Sequence, residues 1–432
     1  MSKTKKIVIL GAGLSGLATA YFLKKKGVDA YVFEKEDTPG GLCRSYKKNG
    51  FTFDFSGHLL HFKHRRIFNI VKGLLGDNLI QHRRNSWVYS FKRLIPYPFQ
   101  VYFTELPEDI SKACLKDFTE AQNNGKSKNF KNFLEWSHCI FGSSITRYFM
   151  VPYNEKFWKI SLEDLSHSWT ERFIFIPALK HIAQRYSGSN SQDVGYNVYF
   201  WYPKKGGIFS LVKAFHSYLP NVYTDCAVES ISLNKNIINF KDGRSVRFDR
   251  AISTIPLPEL GNIVIDLPNN IKKYFRKLKW VSIYNLNLGL DGLVESRRHW
   301  IYFPDKEVIF FRVGFYHNFS FYNTPEKKSS LYVEISYRNE KSVNRENIAS
   351  LAKHDLEKVG VLSGNTKLCV GDLNEIKYAY PIYDMEYCNV RKKIISFLYS
   401  KGIVCCGRVG GWQYLSMEDV IEEAQSLADV FA

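Results

Sequence analysis

The chain has 432 residues, 45% of them hydrophobic and 24% charged, with a formal net charge of +18. That length implies two or three lobes rather than one core, and the composition excludes a disordered chain. No uninterrupted apolar run reaches the ~18 residues of a transmembrane helix. The positive surplus suits an anionic ligand, nucleic acid or an anionic membrane surface, or a solvated basic face built from runs such as Lys24–Lys26 and Lys63–Arg66. No nucleic-acid-binding motif is recognisable, so no nucleic-acid partner is expected. The eight cysteines are scattered, with no C-x-x-C pair. Neither a metal site nor a disulfide framework is indicated, and reduced thiols in the cytoplasm fit best.

The first elements are the most informative. Lys6–Leu10 reads KIVIL, a short β-branched strand. Gly11, Gly13 and Gly16 follow as GAGLSG, and Leu14, Leu17, Ala18, Tyr21 and Phe22 recur on one helical face. Gly27 is the expected stop. A second strand, Ala30–Phe33, ends at Glu34. Strand, glycine turn, helix, strand and acid together form a dinucleotide-binding unit. Its first glycine permits a tight turn, its second lets a pyrophosphate approach, and its third lets helix and strand pack closely. Free N–H groups at the helix start meet the phosphates, and Glu34 can accept both ribose hydroxyls. A signal peptide also opens with lysines and apolar residues, but it lacks patterned glycines in helical phase.

A hairpin-like segment follows, up to residue 62. Helical patterns then run to about residue 190, Phe130–Phe141 among them, broken by aromatic loops. Tyr202–Gly207 reads as a re-entry loop, and residues 221–255 alternate as short strands around the turn KDGR. Residues 280–340 are rich in strand patterns, and Gly402–Gly407 predicts a buried strand. Ser416 and Asp419 form a capping box for a final helix whose apolar face is Val420, Ile421, Ala424, Leu427, Ala428 and Phe431. No internal repeat is present.

Gly40 and Gly41 lie soon after Glu34, within EKEDTPGGLCRS. This glycine pair resembles the FAD-binding fold of amine oxidases, protoporphyrinogen oxidases, phytoene desaturases and UDP-galactopyranose mutases. The resemblance implies an α/β protein with a discontinuous Rossmann-like FAD-binding domain, an inserted helical lobe and an inserted antiparallel β-sheet substrate lobe. The expected segments are 1–62, 203–262 and 400–432 for the FAD-binding domain, 63–202 for the mostly helical lobe and 263–399 for the sheet lobe. Ser56, Gly57 and His58, in FDFSGHLLHF, would then lie near the flavin ring.

Further fragments resemble UDP-galactopyranose mutases in particular: PYPFQ within Arg93–Gln100, PYNEKFW at Pro152–Trp158, WIYFPDKEVIFFR at 300–312, KYAYP ending at Pro381, and GRVGGWQYLSMEDVI from Gly407. The family interconverts pyranose and furanose forms of a sugar on a nucleoside diphosphate, through a flavin N5–sugar adduct, with reduced FAD and no net redox change. UDP-galactose and its galactofuranose form lead as substrate, within cell-surface polysaccharide biosynthesis. The resemblance places Arg172 and Arg312 at the diphosphate, with Tyr302, Tyr380 and Tyr414 as hydroxyl donors. It puts Asn154 and Trp158 on the sugar–nucleotide path, and Tyr97 and Phe99 on the wall near the nucleotide. His58 and Arg408 would tune the reduced flavin, and Met417, Glu418 and the last helix would approach its ring or ribityl chain. The cofactor set it implies is Gly11, Gly13, Leu14, Ser15, Gly16, Glu34, Lys35, Gly40, Gly41, Leu42, Ser56, Gly57, His58, Val228, Gly407, Arg408, Met417 and Glu418.

This chain departs from the family pattern. Phe319 stands where a tyrosine often touches the diphosphate, Ser56 replaces a usual glycine, and Leu415–Ser416 replaces more polar residues. Two rival readings use the same scaffold: an FAD-dependent oxidase or desaturase, and a non-enzymatic escort protein without a usable flavin site. An oxidase of that kind wants an apolar cleft rather than arginines, and an escort lacks the intact glycine pair and Glu34. Homo-oligomerisation is left open.

Overall fold

The computed structural model describes residues 6–123, 129–186, 198–338 and 344–431. Ile7–Leu10 is the centre of a five-stranded parallel sheet, ordered Ile403–Cys405, Arg250–Ser253, Ile7–Leu10, Ala30–Phe33, Val222–Tyr223. Both faces are covered, which is why the central strand reads as an unbroken apolar run. Ile7 and Ile9 pack with Leu17 of the Leu14–Lys25 helix and Ile421 of the Met417–Phe431 helix. Val8 and Leu10 face the opposite layer, where Ile231, Ile238 and Phe240 of a three-stranded antiparallel sheet meet them. Gly27 adopts φ +75 just beyond the first helix, as a C-terminal stop requires. The Ser45–Lys48 and Phe51–Asp54 strands pair as a hairpin through Asn49 and Gly50, both in the left-handed region.

A seven-stranded sheet forms the second layer system. Its order is Lys367–Pro381, Trp280–Asp291, Lys328–Tyr337, Arg312–Phe315, Trp300–Tyr302, Ser86–Ser90, Arg93–Pro96. Register sets Arg312 opposite both Tyr302 and Glu334. The stretch 63–202, expected as mostly helical, therefore also carries strands, two of which extend this sheet. Tyr202 is likewise not in a loop: it belongs to the Tyr199–Pro203 strand, paired with Leu79–Arg83. The helices Glu108–Asn123, Phe133–Ile145 and Val151–Trp158 gather around an apolar core of Phe133, Trp136, Phe141, Trp158 and Trp169.

One buried carboxylate joins these layers. Asp54 has no exposure and accepts hydrogen bonds from Ser45 Oγ (2.6 Å), Tyr202 OH (2.8 Å) and the Ile208 N–H (3.2 Å). Its backbone carbonyl accepts from Asn287 Nδ2 and Tyr316 OH. Burial pushes its carboxyl up to about 6, against the three donors that favour the charged form. The native chain thus holds more protons here than the unfolded chain between the ordinary 3.8 and about 6. Stability falls as pH rises through that window and is level above it. Asp54→Asn sets an amide N–H₂ against a cage of donors, and a loss of about 1–3 kcal/mol is expected in urea unfolding. The variant also lacks the pH 4–6 slope attributable to this group.

Candidate functional site

The glycine turn is built as the spacing predicts. Gly11 takes φ +100, and a Cβ on Gly16 would stand 2.0 Å from the Gly11 carbonyl oxygen, so helix and strand meet through bare backbone. Gly13 caps the Leu14–Lys25 helix with no side-chain partner, leaving first-turn N–H groups for an anion. Glu34 ends the second strand; its Oε2 accepts the Ala12 N–H at 2.8 Å and its Oε1 the Glu36 N–H at 3.1 Å. Gly40 and Gly41 fold back onto this turn with φ +133 and +54. The Gly40 N–H donates to the Ala12 carbonyl at 2.8 Å, and a Cβ on Gly41 would lie 3.2 Å from Gly13 Cα. The two glycine turns form a cradle that side chains would fill. Ser15 and Gly407 close it from the C-terminal side, where a Cβ on Gly407 would lie 2.7 Å from Ser15 Cβ. These features fit the pyrophosphate of a flavin dinucleotide.

Beyond the cradle, four segments bring cations and phenols together. Arg408 lies over the rings of both Tyr380 and Tyr414, at 4.5 and 4.6 Å, and donates to the carbonyls of Leu415 (2.7 Å) and Ala379 (3.3 Å). Tyr380 and Tyr414 meet edge to face at 5.1 Å. Tyr302 contacts Tyr97 (5.0 Å) and Tyr153 (5.6 Å). Arg312 pairs side-on with Glu334, whose carboxylate has no exposure, and Ser56 donates its hydroxyl to the same carboxylate. His58 faces Arg408 and Arg312; burial first, then the two guanidinium groups, pull its pKa down to about 4. Its Nδ1 is enclosed without a partner among the described residues. Burial lifts the phenols of Tyr380, Tyr414 and Tyr153 above their ordinary range. At neutral pH the cluster therefore holds a neutral imidazole, protonated phenols and permanent guanidinium charge.

Other expected residues are placed differently. The Arg172 guanidinium is committed to Asp419, a member of the capping box at the C-terminal helix, while its neighbour Phe173 stacks on Tyr414 at 4.1 Å. Glu418, expected at the flavin, accepts the N–H groups of Lys63 (2.9 Å) and His64 (2.7 Å). These two N–H groups lie just before the Arg65–Leu75 helix, so Glu418 anchors the chain where it enters that helix. Phe99 is fully buried in the helical core; Trp158 is also fully buried but meets Tyr380 and Tyr414 edge to face at 6.1 and 6.2 Å, and Asn154 Nδ2 donates to the Met150 carbonyl at 2.8 Å. Phe319 is also fully buried, packed with Phe200, Tyr202 and Tyr332. Lys35 is exposed beside Glu36, Leu42 packs on the helical core, and Val228 opens a strand of the three-stranded sheet. Met417 begins the last helix against the core of the parallel sheet.

Sequence reasoning missed Glu334, Tyr153 and Tyr332. Glu334 left one signal: it is the lone charged residue within SLYVEISY, the apolar-rich stretch of the Lys328–Tyr337 strand. Nothing local indicated that Tyr332 would fill the space beside Gly57 and Gly314, where added Cβ atoms would fall 2.2 and 2.0 Å from its side chain.

Residues 14–368 match the family model of flavin containing amine oxidoreductases, and the chain belongs to that family. It is a flavoprotein with the FAD-binding fold. Over 99% of its length it superposes on 93% of a reduced UDP-galactopyranose mutase, with a TM-score of 0.93 and 29% identity. It is also similar to the coproporphyrinogen III oxidase of Staphylococcus aureus (strain NCTC 8325 / PS 47), at 31% identity over 22% of this chain and 21% of that protein. The 4,4'-diapolycopene oxygenase of Methylomonas sp is 24% identical over 69% of this chain and 65% of its own length. The chain thus spans less than two thirds of either of these two curated relatives. No helix among the described residues is long and apolar enough to cross a membrane.

Gly13→Val places branched carbons in the gap facing Gly41. Purified variant is expected to lose its flavin absorbance while its far-UV circular dichroism stays native-like; a normally yellow variant would show that the cradle does not hold the pyrophosphate.

Proposed function

We propose that the protein is a flavin-dependent mutase that interconverts pyranose and furanose forms of a sugar on a nucleoside diphosphate, with UDP-galactose as the first candidate. The observation that carries this reading is the cluster of Arg312, Arg408, Tyr302, Tyr380 and Tyr414 beside the Ser56–His58 turn. Two permanent cations and protonated phenols suit a diphosphate that must leave, stay bound and return. They are a costly lining for an apolar polyene or porphyrinogen.

When bound, reduced FAD supplies the nucleophile toward the anomeric carbon. The chain's residues do the rest. Arg312 holds the diphosphate charge as it develops, and its charge does not vary with pH. Arg408, fixed between two aromatic faces and two carbonyls, adds a second cation without swinging into the sugar's space. Tyr302, Tyr380 and Tyr414 donate hydroxyl hydrogens to phosphate oxygens. His58, neutral at pH 7, offers a hydrogen bond near the flavin without adding charge. The three-lobe division expected from the sequence belongs to this reading, as does a reducing, cytoplasmic setting; the eight cysteines are all unpaired.

A second reading is an oxidase or desaturase, favoured by the names of the curated relatives. One assay separates the two. Purified protein is incubated anaerobically with dithionite and a panel of nucleotide sugars, and the ring isomers are separated by chromatography. Isomer conversion only by the reduced protein supports the mutase. No conversion of any sugar, together with rapid reoxidation by oxygen and turnover of an apolar substrate, favours the oxidase.

Within the mutase reading, Arg312→Lys keeps the charge but loses the planar fork. A loss of at least about a hundredfold in kcat/KM is expected with full flavin content, the size typical of losing one preorganised transition-state donor. An unimpaired variant would remove Arg312 from the phosphate site.

A further inference from the structure

We propose that Ser56 is a positioning residue: its hydroxyl and the Arg312 guanidinium share the buried Glu334 carboxylate, and this link fixes the edge that Arg312 presents to the substrate's diphosphate. The inference rests on the mutase reading for the identity of the anion, and on geometry for everything else.

Ser56 holds φ +76, a conformation that glycine adopts freely and serine does not. Backbone strain of this kind persists where the surroundings demand it. Here the demand is visible. The hydroxyl donates to Glu334 Oε1, and Ser56 is 8% exposed. Arg312 reaches the same carboxylate through Nε to Oε2 and Nη2 to Oε1, the latter at 2.8 Å. A guanidinium has two forks. The Nε–Nη2 fork is committed to Glu334, which leaves the Nη1–Nη2 fork for a second oxyanion in the same plane. The direction of that second fork follows the carboxylate plane. Strand register brings Glu334 opposite Arg312, but a carboxylate can still turn about its last torsion. Ser56 supplies the further contact that stops the turn.

The adjoining residues tie the link to the cofactor side. Gly57 leaves space for the Tyr332 hydroxyl, from which an added Cβ would be 2.2 Å, and His58 follows directly. The turn that faces the flavin and the arginine that faces the phosphates are therefore braced through one carboxylate.

The test compares Ser56→Gly and Ser56→Ala with wild type, all purified as holoproteins. Both variants remove a donor from buried Glu334, but only Ser56→Gly also relieves the strained backbone, so its Tm is expected to exceed that of Ser56→Ala by about 1–3 °C. UDP binding, followed by flavin fluorescence, is expected to weaken about fivefold in both variants, the scale of one lost hydrogen bond. Flavin content should stay at the wild-type ratio. A purely structural Ser56 would make UDP affinity follow Tm across the two variants; an equal loss of affinity at unequal Tm is the signature of positioning. The Arg312 Nε–H resonance in ¹⁵N-labelled protein, assigned with Arg312→Lys, gives a readout that needs no ligand. It is expected to be sharp and slowly exchanging in wild type and broadened in Ser56→Gly. An unchanged resonance overturns the proposal whether or not UDP binds. Failure of wild-type protein to bind UDP counts against the nucleotide-sugar reading alone, since the resonance still judges the link.

Discussion

A carboxylate without solvent, set in the middle of a seven-stranded sheet, constrains everything around the site. Glu334 is fully buried, and an unpaired charge there would cost several kcal/mol. Its charge is tolerable only where a guanidinium and a hydroxyl converge on it. Arg312 arrives by strand register and Ser56 by the turn that follows the Phe51–Asp54 strand. Satisfying one buried acid thus brings the Ser56–His58 turn and the seven-stranded sheet into a single geometry. Asp54 acts in the same way two residues earlier, drawing Ser45, Tyr202 and Ile208 together.

The electrostatic character of the cluster follows from this burial. Phenols that are hard to ionise remain donors, and an imidazole facing two arginines remains neutral. The charge in the cluster is then the buried Arg312–Glu334 pair and the Arg408 guanidinium, which lies over two phenol rings. The result is a polar, cationic wall next to a cofactor cradle. That combination underlies the proposal of a charged, phosphorylated ligand, since the scaffold alone does not fix the substrate. Membership of the flavin amine oxidoreductase family sets the cofactor; the lining residues carry the argument about substrate.

The C-terminal helix illustrates how one element serves several needs. Its first turn holds the Ser416–Asp419 box, with Ser416 Oγ donating to Asp419 and accepting the Asp419 N–H. The same Asp419 takes Arg172, and the adjacent Glu418 accepts the N–H groups of Lys63 and His64 just before the Arg65–Leu75 helix. The acids that a capping motif requires are also the anchors for two distant segments.

The amino-acid sequence by itself determined the dinucleotide unit, the glycine pair, the short strands of 221–255 and the capped final helix. Each is a local pattern: φ values open only to glycine, an apolar repeat of 3.6 or 2, or a hydroxyl three residues from an acid. His58, Arg312, Arg408, Tyr302, Tyr380 and Tyr414 were legible as candidates because their fragments resemble a known family. Only the tertiary structure decided how they are held. Ser56 and Glu334 are 278 residues apart, and Glu418 accepts the N–H of His64, 354 residues before it. It also set Trp158 edge to face with Tyr380 and Tyr414, and committed Arg172 to Asp419. The partner of a buried charge is whichever group the folded layers bring within hydrogen-bond reach. That proximity depends on register and packing between distant segments, which no window of sequence contains.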